Sequence, residues 1–227
     1  MGIPLRDITR RPVHRPAVTV AIIVVNVVVF VLELLGGEPF VRQWAVIPAH
    51  IASGQGWVTI LTAMFMHGGW MHIIGNMVFL WAFGPEIEDA MGPLRYLAFY
   101  LLGGAVAFLA QVAAMSNSTV PNLGASGAIA AVMGAFLITY PRDRIRTLLL
   151  LGWFITVTVL PAAVLIGIWF LIQLFSQVGS VVEARSGGGV AYMAHVGGFI
   201  FGAVTARLFE DRRRIAAQIV SRDQFDE

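Results

Sequence analysis

Six apolar stretches, at approximately residues 17–35, 71–85, 95–115, 125–140, 157–176 and 193–209, divide the chain and constrain its fold more than any motif does. A membrane span takes about 20 apolar residues, so a chain of 227 residues has room for roughly six such helices and little else. The mean hydropathy of +0.79 and a charged fraction of only 12% belong to a bilayer protein rather than a soluble domain. The sequence therefore predicts an all-α membrane protein with six transmembrane helices. The stretch from Thr147 to Phe175 is longer than one span needs, and Gly152 with Pro161 divides it into an interfacial piece and a span starting near the proline. No small-residue cleavage pattern clearly follows the first stretch, which is read as a retained span.

The positive charge comes entirely from arginine. With the N-terminus in the cytoplasm, thirteen of the fifteen arginines fall on the inner side, and only Arg42 and Arg185 lie outside. Because they cluster in short segments between spans rather than on one face, nucleic acid is not an expected partner; the expected ones are the lipid bilayer and membrane proteins. Residues 1–16 read as a basic cytoplasmic segment, 17–209 as the six-span domain and 210–227 as a solvated or interfacial cytoplasmic tail. The absence of cysteine excludes disulfides, thiol nucleophiles and thiolate metal sites. Between the first two spans lie about 35 residues too apolar for a solvated loop, expected to rest on the outer interface with Trp44, Trp57 and Trp70 as anchors. A second exterior loop, VEARSGGGVAYM, is expected to be mobile.

Polar groups are costly inside a membrane, so the informative residues are those that interrupt apolar helices. Asn26, Gln111 and Gln173 are read as interhelical hydrogen bonding or interfacial solvation, and Glu33 as a helix end in water. His14 and His50 carry no functional signal. His72 and Asn76 begin the second span, Ser126 the fourth and His195 the sixth, all on the same side of the membrane. Counting at about 1.5 Å per residue puts Ser126 about 24 Å above Arg142, His195 about 18 Å above Arg207 and His72 about 21 Å above Glu86. Against a hydrocarbon thickness of about 30 Å, all lie several ångströms below the outer surface.

A serine hydroxyl needs a base to become a nucleophile, and neutral histidine is the usual one near pH 7. Ser126 and His195 supply that pair. The Ser126 N–H at the start of its helix suits an oxyanion, and His72 and Asn76, four residues apart, share the helix face turned towards it. No Asp or Glu lies at a depth suited to orienting His195, so a dyad is expected rather than a triad. Gly124 and Gly127 flank the serine, and Gly198 and Gly202 give the histidine helix a smooth face for close approach.

These residues resemble the rhomboid family of intramembrane serine proteases. HGGWMHIIGN is similar to its second-span motif, GASGA to its GxSG nucleophile motif and AHVGGFIFG to its sixth-span signature, across residues 17 to 212. The resemblance implies a six-helix bundle with a long interfacial connection between spans one and two, and a water-filled cavity opening outward. It implies Ser126 as nucleophile, His195 as base, and His72 and Asn76 as oxyanion contributors. Gly124, Gly127, Gly198 and Gly202 would be motif and packing glycines, and His67 would order the exterior connection. Its substrates would be transmembrane proteins, cut where their helix unwinds; no metal or cofactor is implied. The expected location is a bacterial cytoplasmic membrane. Val58 stands where many relatives carry arginine after Trp57, and Ala130 where some carry an aromatic against the histidine. A non-catalytic protein that escorts transmembrane clients is the competing reading. A transporter would need an inverted repeat or broken helices, and neither is visible.

Overall fold

The computed structural model describes residues 2–10, 12–151, 154–183 and 191–223. Strand β1 (Gly2–Asp7) precedes helix α1 (Ala17–Trp44). Two short helices, α2 (Pro48–Ala52) and α3 (Thr59–Thr62), and a 3₁₀ turn (Ala63–Phe65) lead to α4 (Trp70–Met91). Then come α5 (Pro93–Ala114), α6 (Ser126–Thr139), strands β2 (Arg144–Leu151) and β3 (Phe154–Pro161), and helices α7 (Ala162–Glu183), α8 (Tyr192–Phe209) and α9 (Arg212–Asp223). Among the described residues, α1 and α5 are long and apolar enough to cross a membrane by length and composition. The glycine-rich loop expected to be mobile lies for the most part outside the described residues.

The helix boundaries follow local chemistry. α1 opens after Pro16 and runs through valine and isoleucine, with Thr19, Asn26 and Glu33 on its buried side; the backbone leaves the helix at Gly37, and a second helical segment containing Pro39 continues to Trp44. The sequence places its end near residue 35, and the non-helical backbone of Gly37 (φ 60°, ψ −154°) ends the first helical segment close to that point. α4 stops at Gly92, whose φ of 80° suits glycine, and Pro93 begins α5 at the position where its missing N–H costs nothing. α6 is the hub, buried along Gly127–Phe136 and wrapped by α4, α5, α7 and α8. A Cβ added at Gly198 would overlap the Gly127 carbonyl oxygen, and one at Gly202 the Ala131 carbonyl oxygen. α6 and α8 thus meet backbone to backbone, which only glycine permits.

The expectation of an all-α chain is corrected. β1, β2 and β3 form an antiparallel sheet in that order, with Gly2 opposite Leu149 and Arg144 opposite Pro161. The stretch expected to be an interfacial piece is instead paired as strands β2 and β3, while α7 starts directly after Pro161, where the proline places the start of the span. The run Ile155–Leu160 alternates threonine with branched apolar residues, which favour a pleated surface. Pairing also satisfies backbone groups that an apolar setting would leave stranded.

β1 also turns the N-terminal segment, expected to be a plain basic leader, into part of a polar cluster at the far end of α6 from Ser126. Arg10 pairs with Asp143 at 2.8 Å and lies over the Tyr140 ring. Glu88 of α4 accepts the Val18 and Thr19 N–H groups and the Thr19 hydroxyl, placing a carboxylate on the positive end of α1. Asp89 accepts the Val13 N–H and bonds His14. The tail expected to be solvated or interfacial forms α9, and its buried Gln218 donates to Asp89 and the Glu86 carbonyl.

Two outcomes test this arrangement. Gly202→Val should cost at least about 1–3 kcal/mol of overpacking, because the obstacle is backbone. Gly167→Ala, where nothing lies within 4 Å, should cost nothing; thermal unfolding in detergent compares them. Burial, opposed by the Thr9 N–H and reinforced by the charge of Asp143, pushes the Asp7 carboxyl up to about 7 from its ordinary 3.8. The folded state therefore holds a proton that the unfolded state has lost, and stability should fall as pH rises from about 4 through 7. Asp7→Asn, which keeps an acceptor for Thr9, should flatten that slope in a pH series of unfolding midpoints.

Candidate active site

Ser126 is the first residue of α6, where the N–H groups of the opening turn have no intrahelical acceptor. The preceding Gly124 has φ of 137°, a backbone conformation open to glycine, and its N–H donates to the Ala63 carbonyl. This turn fixes the point at which α6 starts. A Cβ on Gly124 would stand 3.0 Å from the His72 ring, so the glycine also makes room for that imidazole. His195 lies one turn inside α8 and is buried.

The closeness of α6 and α8 brings His195 Nε2 to 2.7 Å from Ser126 Oγ. On the other side of the ring, His195 Nδ1 lies 2.7 Å from Gln173 Oε1 of α7. An amide oxygen only accepts, so Nδ1 carries the proton and Nε2 is left to accept from the serine hydroxyl. Trp169 of α7 and Tyr192 of α8 also flank the imidazole, with ring centroids 5.8 and 6.3 Å away. Ala130, where some rhomboids carry an aromatic, is fully buried, and these two rings confine the histidine from other directions. Gln173 was legible as a polar interruption of an apolar helix, but its role was not: a search for carboxylates passes over an amide.

Ser126, His195, His72 and Asn76 line one cavity of about 830 Å³, walled on its apolar side by Phe79, Met133 and Trp169. Asn76 is buried and its Nδ2 has no hydrogen-bond partner among the described residues. His72 Nδ1 accepts the Gly68 N–H at 3.3 Å. His67 lies just outside this group, 5.1 Å from His72 between ring centroids. Its buried backbone N–H donates to both oxygens of Glu33, which corrects the expectation that Glu33 ends its helix in water. Burial, and then the neighbouring His72, push the His67 pKa down to about 3, keeping its ring neutral.

The other singled-out residues lie elsewhere. Asn26 donates to the Ile22 carbonyl within its own helix and Gln111 reaches Met115 sulfur. Trp57 and Val58 are exposed, as is Trp70, which packs edge-on against Phe30. Among the described residues no group of three or more His, Asp or Glu side chains is arranged to hold a metal ion.

Apolar helices thus surround a serine and a histidine hydrogen-bonded to one another inside a cavity. The chain belongs to the rhomboid family: a family model described as the Rhomboid domain matches residues 54–212. The RHOMBOID-like protein 12, mitochondrial, of Arabidopsis thaliana is 32% identical over 214 residues, covering 87% of this chain and 60% of its own length. Rhomboid protease GluP of Bacillus subtilis is 32% identical over 151 residues, 64% of this chain and 29% of its own. The human presenilin-associated rhomboid-like protein, mitochondrial, is 32% identical over 93 residues, 40% of this chain and 24% of its own. The chain spans at most 60% of the length of these relatives.

The Gln173 contact makes a direct prediction. In ¹⁵N-histidine spectra the His195 ring should be protonated at Nδ1, and Gln173→Leu, which removes the acceptor, should shift the population towards the Nε2-protonated tautomer.

Proposed function

We propose that this chain is an intramembrane serine endopeptidase that cuts transmembrane protein substrates with Ser126 as nucleophile and His195 as general base. The observation that carries the reading is the 2.7 Å contact between Ser126 Oγ and His195 Nε2, with the far nitrogen of the same ring held by Gln173. As Oγ attacks the scissile carbonyl carbon, its proton passes to Nε2, and negative charge builds on the carbonyl oxygen. The Ser126 N–H, the Asn76 amide and His72 receive that oxyanion. The unpartnered Asn76 Nδ2 supports this role: leaving a buried donor unpaired costs about 1–3 kcal/mol in the resting protein, and the oxyanion supplies the missing acceptor. His195 then gives its proton to the departing amine, leaving an ester on Ser126. Water enters the cavity and loses a proton to Nε2 as its oxygen attacks the ester carbon; the bond to Oγ then breaks, Oγ takes the proton back from Nε2, and the carboxylate product leaves.

In this reading α1, α4, α5, α6, α7 and α8 are the six spans, with both termini in the cytoplasm and the cavity opening to the exterior. Residues 36–70 form the exterior connection, and its apolar side chains Val46, Ile51, Ile60 and Met64 pack with Phe108. The substrate helix must unwind locally, since a helical carbonyl is already bonded and shielded.

Cleavage of a fluorescent transmembrane peptide, with mass spectrometry of the products, tests the reading. Ser126→Ala and His195→Ala should abolish cleavage with folding intact, and Asn76→Ala should lower kcat by about 10²–10³, as for loss of one oxyanion donor. Undiminished cleavage by Ser126→Ala and His195→Ala would remove the assignment, and an inert wild type that still binds the peptide would favour the escort reading.

A further inference from the structure

At the opposite end of the molecule from Ser126, β1, the start of α1 and α4 enclose a second cavity of about 620 Å³. Its walls carry Arg6, Arg15 and Arg146, all exposed, and none of the three has an ion-pair or hydrogen-bonding side-chain partner among the described residues. Arg10 also lines it, is buried, and keeps Nη1 without a partner although Nε and Nη2 bind Asp143. The acidic residues on these walls, Asp7 and Glu86, are both buried. The accessible charge is therefore positive.

Trp81 borders this cavity and also a groove of similar size between α1 and α4, lined by Ile23, Val27, Ile74, Met77 and Val78. Leu5 lines the groove and the adjacent Arg6 the basic cavity, so the two are contiguous through β1. Along α4 the groove runs from Trp70 to Trp81, about 16 Å at 1.5 Å per residue. An acyl chain rising from the basic cavity would therefore enter the groove at Trp81 and run past Val78 and Met77. A cationic hollow at the arginine-rich end of the helices, leading into an apolar trough, matches a lipid headgroup and its tail.

We propose that the two cavities form one site for an anionic phospholipid, with its phosphate among Arg6, Arg15 and Arg146 and one acyl chain between α1 and α4. The site rests on the chain lying in a bilayer and not on hydrolysis. Ser126→Ala protein should bind the lipid as wild type does, so failure of the catalytic reading would leave this one standing.

Native mass spectrometry of the full chain, offered phosphatidylglycerol and phosphatidylcholine with the same acyl chains, reads the site directly. Phosphatidylglycerol should be retained preferentially, and the R6Q/R15Q/R146Q variant should weaken its retention by roughly fivefold per arginine removed. R144Q, on the same strand but outside the cavity, should behave as wild type. I74W, which fills the groove without changing charge, should reduce retention as well. If the triple variant does not fold, R15Q and I74W, neither of which lies in the sheet, carry the test. Equal retention of the two lipids, wild-type retention by the arginine variants, or displacement of phosphatidylglycerol by millimolar inorganic phosphate would each overturn the proposal, the last by making this a free-anion site.

Discussion

The seam between α6 and α8 governs the rest of the structure. Ser126 opens one of these helices and His195 sits near the start of the other, so their separation is set by how closely the two backbones run. With Gly198 against the Gly127 carbonyl and Gly202 against that of Ala131, the seam has no side chain to act as spacer. Without water between helices in a bilayer, association relies on such close packing rather than on hydrophobic burial. The serine and histidine therefore meet as a by-product of a helix pairing that brings backbone against backbone. Their alignment needs no flexible loop.

The third helix of the site has a different character. α7 carries both Trp169, which flanks the imidazole, and Gln173, which holds its Nδ1, while Phe79 of α4 faces Trp169 across the cavity at 6.4 Å between ring centroids. The imidazole is thus gripped by a helix that forms part of the cavity wall. On the proposed function, any movement of α7 that widened the cavity would also loosen the base, whereas the serine, on α6, would stay where it is. α7 is in turn continuous with β3, so its lower end is anchored by the sheet.

Much of the site was legible because polar residues are conspicuous in apolar helices. Ser126, His195, His72 and Asn76 stand out on that ground alone, and counting turns from the charged residues at the inner side puts Ser126, His195 and His72 at similar depth; the structure places all four around one cavity. Less legible were contacts whose partners have no side-chain signature. Glu33 looks like a helix end in water because its partner is the backbone N–H of His67. The sheet was hidden for a related reason: residues 148–160 are apolar enough for a helix, and hydropathy alone does not distinguish a buried strand from a helix. The alternation of threonine with branched residues from Ile155 was the available clue. Nor does composition reveal that a basic leader will supply the strand that completes that sheet.

That sheet imposes an order on assembly. Ile3 pairs with Leu148 and Asp7 with Ile145, so β1 emerges from the ribosome with no partner and remains without one until α1 to α6 have been synthesised. Pairings so distant in sequence form late, because the loop they close is long. Arg10 faces the same delay, since Asp143 is made only just before β2. Until then the strand is unpaired, exposed to proteases and to chance pairing with other chains. Made before the six helices it waits for, β1 is among the last segments to be fastened.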